Sequence, residues 1–188
     1  MDPVATLRSL RDRPFELLRT LDLRARAAAQ GQTESGASGP EWVGIAFRMG
    51  GEAFLLAREE TREVLGYPVS VTRIPGAKNW VRGLANVRGQ LLPIIDLRSF
   101  LGSGNTSVTR TTRVLAANHR EIPAGLVVDE VMGFRRFYES EFSAELPPTL
   151  LRCEGYLAGA FKRGAEVWPV FSVRSLLESP QFLQAAAS

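Results

Sequence analysis

An internal repeat is the feature of this sequence that most limits its fold. Residues 63–67 (EVLGY) recur 67 positions later as residues 130–134 (EVMGF), and residues 93–97 (PIIDL) recur 76 positions later as residues 169–173 (PVFSV). The second copy therefore holds nine additional residues, within the stretch around 137–151. We expect the fold to contain one small unit twice.

Short apolar runs make up both copies from Trp42 onward. Residues 43–47, 53–56 and 91–95 are apolar runs of this kind, separated by Gly, Pro and Asn. Such short runs bounded by turn residues indicate the strands of small barrels or a sandwich. The sequence therefore predicts a mainly β fold, with repeats at about 42–102 and 112–178.

The first forty residues have a different character. Residues 2–30 combine a capping Asp2 with apolar side chains at helical spacing, and residues 30–40 (QGQTESGASGP) are rich in Gly and Ser. We therefore expect a helical extension and flexible tether over 1–40, a globular domain over 41–178 and a tail over 179–188.

Composition excludes several classes of protein. Cys153 and His119 are the single Cys and the single His, so neither an intramolecular disulfide nor a Cys/His zinc site can form, and we expect no metal. The sequence has no apolar run long enough to suggest membrane insertion, and we expect the protein to lie in a reducing cytoplasm. The net charge of +3 comes from dispersed arginines rather than from the clustered patch typical of nucleic-acid binding.

The candidate catalytic residues have simple structural interpretations. His119 lies in a polar turn, and Cys153, which follows Arg152, is expected to be a partly buried thiol near a strand. Asp96 and Ser172 occupy the same repeat position before short Leu/Arg/Ser stretches, where we predict helix N-caps. We therefore expect no catalytic residue and no cofactor.

Nucleic-acid binding is a second function that the sequence leaves open. Two small OB-like barrels in tandem can bind single-stranded nucleic acid through interleaved aromatic and basic side chains, and residues 134–138 (FRRFY) fit that pattern locally. A strand with solvated arginines explains the same residues.

Residues 81–102 (VRGLANVRGQLLPIIDLRSFLG) resemble the signature of CheW-like domains, the adaptors of bacterial chemosensory arrays. Residues 62–80 and 124–134 fit the same family, so the resemblance covers about 42–178. It implies two five-stranded, SH3-like or OB-like β-barrel subdomains. It also implies a non-enzymatic scaffold that couples a methyl-accepting chemoreceptor to a CheA-type histidine kinase at membrane-associated arrays. The N-terminal extension resembles the version of this adaptor from type IV pilus (twitching motility) systems.

The resemblance also suggests partner-binding residues. Glu63 and Arg88 match a Glu and Arg pair associated with receptor coupling in the family, and the neighbouring strands around Val64 and Leu92 are expected to contact partners. An arginine fork can bind one carboxylate bidentately, so the pair can equally serve only to join two strands. Residues 161–166 differ from the matching residues 85–90, so no equivalent surface is expected in the second copy.

Limited proteolysis tests the domain boundary. We expect the first cleavage within residues 30–41, because exposed Gly- and Ser-rich chain fits easily into a protease site, and mass spectrometry should find a stable fragment that starts near Trp42. Earlier cleavage within 103–112 would instead indicate that the two repeats are independent domains.

Overall fold

The computed structural model describes residues 39–185, and the expected N-terminal helix lies outside these described residues. Within them the strands are β1 (Glu41–Met49), β2 (Glu52–Ala57), β3 (Thr61–Gly66), β4 (Val81–Val87), β5 (Gln90–Asp96), β6 (Arg113–Ala117), β7 (Gly125–Val128), β8 (Glu130–Tyr138), β9 (Phe142–Ser143), β10 (Leu157–Arg163) and β11 (Glu166–Phe171). The short helices are α1 (Leu97–Phe100), α2 (Val173–Leu177) and α3 (Pro180–Leu183), with 3-10 turns η1 (Arg58–Glu60), η2 (Glu139–Glu141) and η3 (Glu154–Tyr156).

The strands form two sheets that have the same plan. The six-stranded sheet has the order β8-β1-β2-β11-β10-β9, and the five-stranded sheet has the order β3-β6-β7-β5-β4. The first copy contributes β1 to β5, and the second copy contributes β6, β7, β8, β10 and β11; each set is counted from one to five in chain order. Counted in this way, neighbouring strands in both sheets are the third, first, second, fifth and fourth. The additional strand β9 falls in the nine-residue insertion of the second copy. The prediction of a mainly β fold with two five-stranded units is confirmed, with one short strand added.

Each sheet nevertheless contains strands from both copies of the repeat. Strands β1 and β2 of the first copy pair with β8 and β11 of the second, while β6 and β7 of the second pair with β3 and β5 of the first. The parallel pairs β2 with β11 and β5 with β7 are the seams where the copies meet. A sequence repeat is therefore not the same unit as a sheet.

The central strands are buried on both faces. Ile45 and Phe47 of β1 enter the core between the sheets, whereas Ala46 between them enters a smaller core inside the six-stranded barrel. In β6, Leu115 joins the central core and Val114 joins the inner core of the five-stranded barrel. Neighbouring side chains of a strand point to opposite faces, so one strand serves two cores. This explains why these strands are continuous apolar runs rather than alternating ones.

The predicted helix caps are present. Asp96 accepts a hydrogen bond from the Ser99 N–H at the start of α1, and Ser172 accepts one from the Ser175 N–H at the start of α2. Asp96 is also completely buried, and it accepts hydrogen bonds from the Arg82 guanidinium and from both the N–H and the hydroxyl of Thr106. The carboxylate therefore fastens the segment between the two copies to the end of β5.

The exchange of strands predicts that neither half of the chain folds alone. We expect residues 1–104 and residues 105–188, produced separately, to lack a cooperative unfolding transition, because each would leave apolar strand faces without a partner sheet. Mixed or co-expressed, the two fragments should restore a folded complex with dispersed amide signals in NMR spectra. A cooperative transition of fragment 1–104 on its own would contradict this.

Candidate partner-binding site

Arg88 lies at the tip of the hairpin that joins β4 to β5. Arg88 and Gly89 form a two-residue turn with φ values of 52° and 82°, and the Asn86 side-chain oxygen accepts a hydrogen bond from the Gly89 N–H at 2.8 Å. Turns with two positive φ values favour Asn and Gly, and an L-residue in this conformation costs roughly 1–2 kcal/mol. Among residues 39–185, Arg88 is the only non-glycine residue with a positive φ. The hairpin thus holds an arginine where a glycine would be easier to accommodate.

Glu63 faces Arg88 from the opposite edge of the same sheet. Glu63 of β3 is paired with Ala116 of β6, a residue of the barrel's inner core, so the carboxylate lies on the inner face of the sheet. Its Oε2 lies 3.0 Å from Nη1 of Arg88. Because β3 and β4 are the two edge strands of the five-stranded sheet, this ion pair joins the edges across the barrel opening.

The two members of the pair differ in exposure. The Glu63 side chain is 20% exposed and the Arg88 side chain is 78% exposed. Arg62 lies beside them, with its Nη2 3.8 Å from Oε1 of Glu63, and a shallow groove of about 330 Å³ runs along this corner past Val87 and Gln90. The carboxylate is therefore held in place while most of the arginine fork stays open to a partner.

The two predicted apolar contact residues, Val64 and Leu92, differ in exposure. Val64 is exposed on the outer side of β3, next to Glu63, and it is available to a partner. That Leu92 contacts a partner stays a prediction, although its side chain is only 4% exposed and packs in the inner core of the five-stranded barrel. The alternation along β5 gives the physical reason for this burial, because Leu91, its neighbour, points outward and is 67% exposed.

The six-stranded barrel closes its corresponding corner with other residues. Arg163, at the end of β10, donates two hydrogen bonds of 2.7 and 2.8 Å to Glu141 and one to the Arg136 carbonyl. The bond from Arg163 holds the pKa of Glu141 below its ordinary value. The planar guanidinium of Arg163 also lies 4.5 Å from the ring centre of Phe137. In this barrel the guanidinium is therefore held by contacts within the barrel, and the absence of a Glu63 and Arg88 equivalent in the second copy stays a prediction.

His119 and Cys153 take structural positions. The Nδ1 atom of His119 accepts backbone hydrogen bonds from Glu121 and Ile122, which leaves Nε2 facing Glu178 at 3.4 Å, so the ring is anchored rather than freely solvated. Burial raises the pKa of the Cys153 thiol, opposite to what a nucleophile requires. Within residues 39–185 no cluster of three or more His, Cys, Asp or Glu side chains is arranged to hold a metal ion, and no helix there is long and apolar enough to cross a membrane.

The aromatic and basic strand at residues 134–138 does not present a row of rings. Phe137 is buried against Trp42 and Phe161 in the barrel interior, and Phe134 is the exposed ring. Arg135 lies over the Trp168 ring at 6.0 Å. A single exposed ring offers little for stacking successive bases.

Comparison with known proteins identifies the family. A family model described as a CheW-like domain matches residues 43–181, which is well over half of the chain. The chain belongs to the CheW-like family. Protein PilI of Pseudomonas aeruginosa is 42% identical over 173 residues, which cover 92% of this chain and 96% of PilI. The chemotaxis protein CheW of Bacillus subtilis is 29% identical over 100 residues, which cover 53% of this chain and 64% of that protein.

A solved CheW-like structure has the same fold. The scaffolding protein TtCheW from Thermoanaerobacter tengcongensis superposes with a TM-score of 0.65 at 24% identity, covering 76% of this chain and 96% of that one. The match to PilI extends over nearly the whole chain, beyond the CheW-like domain itself. It therefore includes part of the N-terminal segment that precedes residue 39.

A charge exchange tests whether the Glu63 and Arg88 pair is a strand tie. We expect Arg88→Glu to lower the free energy of unfolding by about 1 kcal/mol, because an exposed ion pair is replaced by two adjacent carboxylates. Adding Glu63→Arg should recover most of this loss, as measured by urea denaturation. If the double variant is no more stable than Arg88→Glu alone, the two side chains do not interact in solution.

Proposed function

We propose that this protein is the adaptor that couples a methyl-accepting chemoreceptor to a CheA-type histidine kinase in a type IV pilus (twitching motility) chemosensory system. The observation that carries the proposal is the similarity to PilI over almost the full length of both chains. The role requires two binding surfaces and no chemistry of its own. The proposal includes a cytoplasmic location at membrane-associated receptor arrays, because an adaptor has to meet the receptor there.

We further propose that the corner formed by Glu63, Val64 and Arg88 is one of the partner-binding surfaces. Three features support this assignment: the strained turn that holds Arg88, the exposure of most of its fork, and the exposed apolar side chain of Val64 beside it. Backbone strain that no packing requirement explains is typical of functional positions. An exposed arginine next to an apolar side chain also has the composition of an interface anchor.

The variant Arg88→Gly separates binding from folding. Glycine adopts the positive φ of this turn without strain, which offsets the lost ion pair, so we expect the stability to stay within about 1 kcal/mol of wild type. The guanidinium is nevertheless removed. In a pull-down with receptor-containing membranes and purified kinase, we expect about tenfold less kinase to be recruited, since arginine anchors commonly contribute more than 1 kcal/mol.

The matched control is Arg136→Ala. Arg136 lies on the six-stranded barrel, where it is 70% exposed and forms a surface ion pair of 3.5 Å with Glu41. It therefore resembles Arg88 in exposure and pairing but does not lie in a strained turn. This variant should recruit kinase as wild type does. If Arg88→Gly also recruits kinase normally, Glu63 and Arg88 only join two strands, and this surface is not a binding site. If the wild-type protein recruits no kinase to any receptor of its own organism, the adaptor role itself is wrong.

A further inference from the structure

A separate pocket lies in the six-stranded barrel and shares no lining residue with the groove at the Glu63 and Arg88 corner. It has a volume of about 450 Å³, and the rings of Trp42, Phe142 and Phe161 line it. The ring centre of Phe161 lies 4.6 Å from that of Trp42 and 5.3 Å from that of Phe142. Phe161 is buried, Trp42 is half-buried and Phe142 is exposed. The floor of the pocket is therefore the buried ring of Phe161, and the more accessible rings are those of Trp42 and Phe142.

Two glycines make room for the outer rings. A Cβ atom on Gly44 would lie 2.2 Å from the Trp42 ring, and a Cβ atom on Gly159 would lie 2.5 Å from the Phe142 ring. Any other residue at either position would push the ring out of its place. The shape of the pocket thus depends on two backbone positions that have no side chain.

Two carboxylates lie at the edge of the pocket, and neither has a cationic partner among residues 39–185. Glu60 accepts hydrogen bonds from the Ser172 hydroxyl and the Val173 N–H, both neutral donors. The carboxylate of Glu139 accepts no hydrogen bond from any residue between 39 and 185, and no ion pair within that range involves either glutamate. The faces of aromatic rings carry partial negative charge, so rings and carboxylates together create a site that attracts a cation.

We propose that this pocket binds the arginine side chain of a partner protein. A guanidinium is planar, stacks on aromatic faces and is weakly hydrated, so it loses less on entering an aromatic pocket than a lysine ammonium does. The volume is within the range of ligand-sized pockets. Glu60 and Glu139 would repel the α-carboxylate of free arginine, and an arginine within a polypeptide has no such group. This site is independent of the proposed adaptor role.

The test is an NMR titration of the full-length protein with acetyl-Gly-Arg-Gly-amide. The chain has three tryptophans, and the indole N–H signal of Trp42 is assigned by its loss in Trp42→Phe. We expect millimolar peptide to shift the Trp42 signal in a saturable way and to leave those of Trp80 and Trp168 in place. The same peptide with citrulline, the neutral isostere of arginine, should bind about tenfold more weakly, which corresponds to a modest cation–π and carboxylate contribution.

Two variants sharpen the test. Glu139→Gln should weaken binding of the arginine peptide severalfold and leave the citrulline peptide unaffected, whereas the control Glu121→Gln, an exposed carboxylate outside this pocket, should change neither. Gly44→Ala should weaken both peptides, because it displaces the Trp42 ring. Any of three results would overturn the proposal: no shift of the Trp42 signal, equal shifts of all three indole signals, or equal affinity for the arginine and citrulline peptides.

Discussion

The packing of the whole domain depends on strands that serve two cores at once. In β1, β2, β6 and β7, one set of alternate side chains fills the core between the sheets and the other set fills the interior of a barrel. A shift of one residue in the pairing of such a strand would send every side chain to the wrong core. Phe47 and Phe54 enter the central core, whereas Ala46 and Leu55, their neighbours in the sequence, enter the six-stranded barrel. Register and position are therefore specified together.

The same constraint explains how the charged corner is positioned. Once Val114 and Ala116 of β6 face the barrel interior, the pairing of β6 with β3 obliges Glu63 to face inward at the barrel opening. The hairpin between β4 and β5 arrives at that opening from the other edge and brings Arg88 to it. The positions of Glu63 and Arg88 are therefore both set by the strands that carry them. The packing of apolar strands sets the distance between them, and the strained turn sets the direction of the arginine.

Some of this arrangement follows from the sequence and some does not. The repeated segments at 63–67 and 130–134 predict two similar units, and the caps at Asp96 and Ser172 follow from their place before short helical stretches. The exchange of strands could not be predicted, because a strand of either copy offers the same apolar pattern to either sheet. The burial of Leu92 could not be predicted, because an apolar strand has no polar residue to mark its outer side. The aromatic pocket depends on Gly44 and Glu139, which lie 95 positions apart and carry no shared motif.

The strand exchange also affects how the chain folds during synthesis. Strand β2 ends at residue 57, and its parallel neighbour β11 begins at residue 166. At translation rates of about 5–20 residues per second, roughly 5–20 s pass between the emergence of these two strands. Throughout that interval β1 and β2 carry apolar side chains on both faces and have no completed sheet beside them. The centres of β1 and β2, which are completely buried in the finished protein, are therefore covered only after the second copy has been made.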